Sequence, residues 1–166
     1  MSVLVIDVGT SGLRAAVVRP DGDVEALHHV AFPPSSPFPG LVEFDAAGMA
    51  ACVLQVARAA LADGGPVLGV GITNQRASTV VWDRVTGEPV GPGLGWQDLR
   101  TVFDCITAKS EHGLHLAPNQ SATKVAWLLG QYDPGRERDL CFGTVDSWVA
   151  WVLSEGAVHV TDHSNA

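Results

Sequence analysis

The first eighteen residues restrict the chain to folds that open with an antiparallel hairpin. Val3-Leu-Val-Ile6 is a β-rich run that stops at Asp7. Gly9-Thr10-Ser11-Gly12 supplies turn chemistry, and Leu13-Arg-Ala-Ala-Val-Val18 is a second β-rich run. Pro20-Asp21-Gly22-Asp23 is another turn, and Val24 to Phe32 reads as a third strand. Three strands joined by tight turns form an antiparallel meander. Pro33 to Pro39 holds four prolines and interrupts regular structure as a surface connection.

Helices then alternate with strands. Asp45 is placed to cap a helix reaching about Ala62, with Met49, Cys52, Val53, Val56 and Ala60 at spacings of three and four. Val67 to Ile72 and Thr79 to Trp82 read as buried strands, and Thr86-Gly87 as a turn before a segment ending near Trp96. Helical patterns follow from Asp98 to about Ser110, and again from Ser121, whose apolar face holds Val125, Leu128 and Leu129. Asp133-Pro134-Gly135 ends that helix. Cys141-Phe142 reads as a short strand, Asp146 to Glu155 as a helix, and Val158-His-Val160 as the start of one more strand. This order fits an α/β layer domain, its sheet antiparallel in front and parallel in the remainder.

Composition removes several function classes. With 46% apolar and 17% charged residues, the chain is not a disordered acidic tail. A net charge of -8 without a dense basic stretch argues against a nucleic-acid surface, which needs clustered cations. No apolar run reaches the roughly 18 residues of a membrane helix, so no membrane partner is expected. The N-terminus lacks the basic region of a signal peptide. Cys52, Cys105 and Cys141 show no metal-ligand spacing, and we read them as reduced core thiols of a cytoplasmic protein. His28-His29 has no third ligand nearby in sequence, and strand alternation would turn only one of the pair outward.

Chemistry concentrates at the first turn. Glycines let a backbone approach a phosphate closely, and successive turn N–H groups form an anion-binding concavity. Thr10 and Ser11 add hydroxyl donors. Asp7 cannot bind a phosphate directly, but it can hold Mg²⁺ or its waters. Arg14 is within sequence reach of a terminal phosphoryl group. Neither the P-loop nor the dinucleotide-binding glycine pattern is present. Taken alone, the turn reads equally as an ordinary hairpin with a surface arginine.

The segment Ile6-Asp7-Val8-Gly9-Thr10-Ser11-Gly12-Leu13-Arg14 resembles the first phosphate motif of the sugar kinase, actin and Hsp70 superfamily. Gly71-Ile-Thr-Asn-Gln-Arg76, Thr79-Val-Val-Trp-Asp83, Thr86-Gly87-Glu-Pro89 and Gly95-Trp96-Gln-Asp98-Leu-Arg100-Thr101 then follow in order. With Ser121-Ala-Thr-Lys124-Val-Ala-Trp127, Gly143-Thr-Val-Asp146-Ser-Trp148 and His159 to Ala166, they resemble the FGGY carbohydrate kinases, glycerol kinases in particular. The resemblance implies a ribonuclease-H-like domain: a mixed sheet with an antiparallel front end and flanking helices. It also implies that residues 1–166 are an incomplete N-terminal domain, with a second ATPase-type domain beyond residue 166 and an active site between the two.

Carried over residue by residue, the resemblance assigns Asp7 to the metal, and Thr10, Ser11, Gly12 and Arg14 to the phosphates of ATP. It assigns Arg76 to substrate hydroxyls and Trp96 to packing against a polyol. A guanidinium offers several fixed donors to hydroxyl oxygens. Two positions depart. Glycerol kinases have a glutamate where this chain has Ala77, and a tyrosine where it has Asn119. Losing two hydrogen-bonding groups should alter acceptor choice, and Ala77 leaves room for a larger sugar or polyol. The catalytic base of the family lies beyond residue 166, so the chain alone should be inactive. Asp83, Asp98 and Asp146 fit capping or turn roles better. Trp82, Trp127, Trp148 and Trp151 read as core, and Lys124 as either part of the family signature or a surface helix lysine.

The implied activity is ATP-dependent and Mg²⁺-dependent phosphorylation of a sugar or polyol hydroxyl by a longer protein. Two alternatives stand beside it: a true glycerol kinase with a rearranged acceptor site, and a non-catalytic, pseudokinase-like regulatory module on the same fold. Family members often form dimers or tetramers, which implies homo-oligomers through the full-length chain.

Overall fold

The computed structural model describes residues 1–165, so Ala166, the last residue of the quoted C-terminal motif, lies outside the described residues. In chain order the elements are β1 (Val3–Val8), β2 (Gly12–Val18), β3 (Val24–Ala31), β4 (Glu43–Phe44), α1 (Ala46–Gly64), β5 (Val70–Asn74) and β6 (Thr79–Asp83). They continue with β7 (Gly93–Leu94), α2 (Val102–His112), α3 (Ser121–Tyr132), β8 (Leu140–Thr144) and α4 (Val145–Leu153). Two compact units result. One comprises Met1–Pro33 and Ala47–Gln75, the other Pro34–Ala46 and Arg76–Ala166.

The first unit holds a four-stranded sheet of order β3-β2-β1-β5. β1 pairs antiparallel with β2, which places Leu4 opposite Val17, Ile6 opposite Ala15 and Val8 opposite Leu13. All six are buried, as one apolar face of a period-two pattern requires. Each Leu, Ile or Val taken out of water contributes roughly 1.5–3 kcal/mol. β5 joins β1 in parallel, aligning Asp7 with Thr73. In β3, His28 is half-buried and bonded to Asp63 at 2.8 Å, while His29 is exposed, as alternation predicts.

Helix α1 buries Met49, Val53, Val56, Ala57 and Ala60 along one stripe. Its length and mean hydropathy of 1.3 would suffice to cross a membrane, a test that core helices also pass.

The second unit holds a separate sheet of order β4-β7-β6-β8, antiparallel at every pairing. The parallel remainder expected from sequence is therefore confined to β5. β6 is buried along almost its whole length, which suits a central strand. Its Trp82 is fully buried, with Trp148 at 5.2 Å, Trp151 at 5.7 Å and His159 at 5.1 Å between ring centroids. His159 also bonds the Phe142 carbonyl at 2.9 Å. The expected strand at Val158–Val160 is thus an irregular segment, anchored by a ring rather than a ladder. Leu128 of α3 packs with Val81 and Leu94, flanked by Val125, Trp127 and Leu129.

The three acidic residues read as capping or turn groups take different roles. Asp83 does hold a turn, accepting the N–H groups of Val85 and Thr86 at 2.9 and 3.0 Å. Asp98, four residues before α2, accepts the Arg100 N–H at 3.0 Å and is also the buried partner of the Arg100 side chain, while Asp146 accepts the hydroxyls of Thr144 and Thr161.

Candidate functional site

Each unit carries one group of the residues singled out above. In the first, the β1–β2 hairpin turns through Gly9, Thr10 and Ser11, closed by the Gly9 N–H on the Gly12 carbonyl at 3.0 Å. Asp7 and Arg14 face each other across the strands, with Arg14 Nη1 donating to Asp7 Oδ2 at 3.1 Å. Both side chains remain substantially exposed, at 38% and 54% respectively. Gln75, at the end of β5, donates from its backbone to the Val8 carbonyl at 2.8 Å and from its side chain to the Gly9 carbonyl at 3.4 Å. The turn is therefore held from the parallel strand as well as from its own hairpin.

Gly12 is buried, and close packing against β3 dictates its identity. A Cβ there would lie 2.6 Å from His29 Nε2 and 2.9 Å from the Val30 carbonyl oxygen. We expect Gly12→Ala to destabilise the chain by about 1–3 kcal/mol through overpacking, read as a fall in the urea midpoint. An unchanged midpoint would mean that β3 yields without cost.

The donor set at this turn fits magnesium and nucleotide phosphates. No group of three or more potential ligands occurs among the described residues, so a cage that binds metal by protein alone is not present there. Magnesium, however, is commonly held by one or two carboxylates together with substrate phosphates. Asp7 supplies one such carboxylate, and Arg14 beside it supplies a phosphate-compatible guanidinium.

The second unit brings together Arg76, Ala77, Trp96 and Asn119, which line one open cavity of about 650 Å³. The volume lies within the roughly 300–1,000 Å³ usual for small-molecule sites. Ser164 and Asn165 line the same cavity. Arg76 is exposed, and no acidic side chain pairs with it among the described residues. Ala77 adopts φ 65°, in the left-handed region that costs a residue with a Cβ roughly 1–2 kcal/mol. Trp96 is 43% exposed, and its backbone N–H donates to the fully buried Ser78 hydroxyl at 3.0 Å.

Behind the cavity lies a polar core that sequence reasoning missed. Lys124 is fully buried, which removes the surface-lysine alternative. Its Nζ donates to the carbonyls of Gly95 at 2.7 Å, Ala77 at 3.3 Å and Asn119 at 3.4 Å. Burial lowers its pKa to about 8, with Asp98 raising and Arg100 lowering it. Asp98 is fully buried too. Burial opposes its ionisation, yet hydrogen bonds from Arg100 and from the Val42 and Arg100 N–H groups hold its pKa below the ordinary value. Arg100 extends the network to Glu43 at 2.7 Å and stacks over Trp127 with 4.3 Å to the ring centroid. The available signal was positional: Lys124 stands one residue after the buried Thr123 and four before the buried Leu128, on the inward side of α3.

Comparison with known proteins bears on this arrangement. A profile of the FGGY family of carbohydrate kinases, N-terminal domain, matches residues 2–166. The glycerol kinase of Trichlorobacter lovleyi is 43% identical over 99% of this chain and 36% of its own length. That of Ralstonia pickettii is 41% identical over the same shares. The chain thus spans about a third of the length of these relatives. Among solved structures, Plasmodium falciparum glycerol kinase with ADP superposes with a TM-score of 0.82 at 19% identity, covering 93% of this chain and 34% of that one. The xylulose kinase of Rhodospirillum rubrum superposes at 0.75 with 20% identity, covering 92% and 34%. These two likenesses establish the fold.

Proposed function

This chain belongs to the FGGY family of carbohydrate kinases, and we propose that it serves as the N-terminal domain of a longer kinase that phosphorylates a polyol or sugar. The observation that carries the reading is the convergence of Arg76, Ala77, Trp96 and Asn119 on one cavity. There the Arg76 guanidinium, with no acidic partner among the described residues, and the part-exposed Trp96 indole line the same space, a combination suited to hydroxyls and C–H groups respectively.

In the proposed reaction the acceptor oxygen forms a bond to the γ-phosphorus of ATP. The bond from that phosphorus to the β–γ bridging oxygen breaks, and ADP leaves. The hydroxyl proton passes to a general base, which the family resemblance locates outside these residues. Arg76 would orient the acceptor hydroxyls, and Trp96 would cover the carbon skeleton. Thr10, Ser11, Gly12 and Arg14 would receive phosphate oxygens, and Asp7 would hold magnesium or its waters. Bound magnesium would neutralise charge on the β- and γ-phosphates. What the chain's own groups supply is positioning and electrostatic complementarity. Three free cysteines, two of them buried, suit a reducing compartment, and we place the protein in the cytoplasm.

Ala77 and Asn119 favour an acceptor larger than glycerol, because neither offers the reach of a glutamate or a tyrosine. The identity to relatives named glycerol kinase favours glycerol itself as a second reading. An ADP-release assay on the complete protein, with Mg-ATP and a panel of glycerol, longer polyols and ketoses, separates them. Turnover of a larger acceptor in preference to glycerol supports the first reading. Preferred turnover of glycerol supports the second, and silence across the panel refutes both. If the first holds, joint replacement Ala77→Glu and Asn119→Tyr should shift kcat/KM toward glycerol by about tenfold, the worth of one or two restored hydrogen bonds. No shift would remove these positions from acceptor choice.

A further inference from the structure

We propose that Lys124 is a positioning residue of the acceptor cavity, its buried ammonium binding together the three backbone segments that present Ala77, Trp96 and Asn119. The proposal rests on the acceptor reading given above. An ammonium has three donors and no acceptor. Here three carbonyls receive them: those of Ala77 and Asn119, which line the cavity, and that of Gly95, directly before Trp96. Each segment comes from a different part of the chain, and no strand ladder links Ala77 or Asn119 to a neighbour. The bond to the Ala77 carbonyl falls on a residue in the left-handed region, where the backbone needs outside support. The Gly95 carbonyl also accepts the Asp98 N–H at 3.1 Å. The lysine clamp is thereby joined to the segment that leads into α2.

The cost of the arrangement argues for a role beyond packing. The side chain is fully buried and makes no salt bridge among the described residues. The charged groups acting on it are Asp98 and Arg100, both just before α2, which already bond each other. A methionine would fill similar space without burying a charge. What a methionine cannot do is hold three carbonyls at one point.

Deprotonation leaves an amine with two hydrogens for three carbonyls. The clamp should therefore loosen as pH rises through about 8, the value to which burial lowers this lysine. The stability change runs the opposite way. Between about pH 8 and the ordinary lysine value of 10.5, the unfolded chain binds the extra proton, so this group makes the fold more stable as pH rises. A urea midpoint measured at each pH separates weaker acceptor binding from loss of the fold.

The test combines amide NMR with acceptor kinetics on wild type, K124M and K124R. In wild type, the amide signals of Ala77, Trp96 and Asn119 should titrate together near pH 8. They should be displaced and pH-independent in K124M, and close to wild type without that titration in K124R. In the complete protein, using glycerol and D-xylulose as probes, K124M should raise the acceptor KM about tenfold while the ATP KM stays within twofold. K124R should recover part of the loss. Amides that neither titrate in wild type nor move in K124M would overturn the role of the lysine. An unchanged acceptor KM in K124M would do the same. Amides that titrate in a complete protein that phosphorylates no acceptor would instead sink the acceptor reading, so the two failures are distinguishable.

Discussion

Asp98→Ala should lower the unfolding free energy by about 3–5 kcal/mol, the cost of leaving a buried partner charge uncompensated. Asp98 is fully buried, and its two oxygens accept four hydrogen bonds: from Val42 N–H at 2.6 Å, Arg100 N–H at 3.0 Å, Arg100 Nε at 2.8 Å and Arg100 Nη2 at 2.8 Å. Removal strips Val42 of its acceptor and leaves Arg100 only Glu43, which is partly exposed. A urea titration at pH 7 reads the loss directly. Its pH dependence identifies the cause. Hydrogen bonding outweighs burial and holds the Asp98 pKa below 3.8. The stabilisation is therefore complete above the unfolded value and fades as pH falls through the folded one. The gap between wild type and variant should shrink below about pH 3.8. A gap that is small at pH 7, or that persists in acid, would mean that the carboxylate does not anchor the network.

Such a loss would reach the cavity. The Asp98 N–H bonds the Gly95 carbonyl, which Lys124 also holds, and Trp96 follows Gly95. A destabilised Asp98 variant should therefore also weaken acceptor binding, with ATP affinity less affected.

Local chemistry made the first unit legible. The hairpin, its turn and the apolar alternation of β1 are encoded within eighteen consecutive residues, and β1, β2 and β3 each pair with a sequence neighbour, while β5 returns from a distance to pair with β1. The apolar stripe of α1 was equally local. The separate antiparallel sheet was less so. A run such as Thr79 to Trp82 reads as a buried strand in either sheet, and only long-range pairing with Leu140–Thr144 decides which. Val158–Val160 had the composition of a strand but is irregular, its His159 meeting Trp82 and Trp151 edge-on.

The candidate cavity divides the same way. Arg76, Ala77, Trp96 and Asn119 were named from motifs, and the fold gathers them from three separate stretches. The polar core beneath was invisible, because a lysine in a helix is ordinarily solvated and nothing local announces three converging carbonyls. Asp98 was read only in part: it accepts the Arg100 N–H two residues on, as a turn role requires, but its burial and its pairing with the Arg100 side chain appear only when the chain folds.

Arg76→Ala is the sharpest functional prediction. A hydrogen bond from a charged donor contributes roughly 1.5–3 kcal/mol, more than a neutral pair. A guanidinium that contacts acceptor hydroxyls through two N–H groups should therefore be worth about 10²-fold in kcat/KM for the acceptor, or about 2.7 kcal/mol. The ATP KM should stay within about twofold, since Arg76 carries no assigned role toward the phosphates. Arg76→Lys should recover only part of the loss, because a point charge cannot reproduce the fork. Stability supplies the control. Arg76 is exposed and has no acidic partner among the described residues, so its removal should leave the urea midpoint essentially unchanged. A selective loss of acceptor efficiency in a fully stable protein would tie the cavity to acceptor binding. Full activity in Arg76→Ala would overturn the role of Arg76 in acceptor binding.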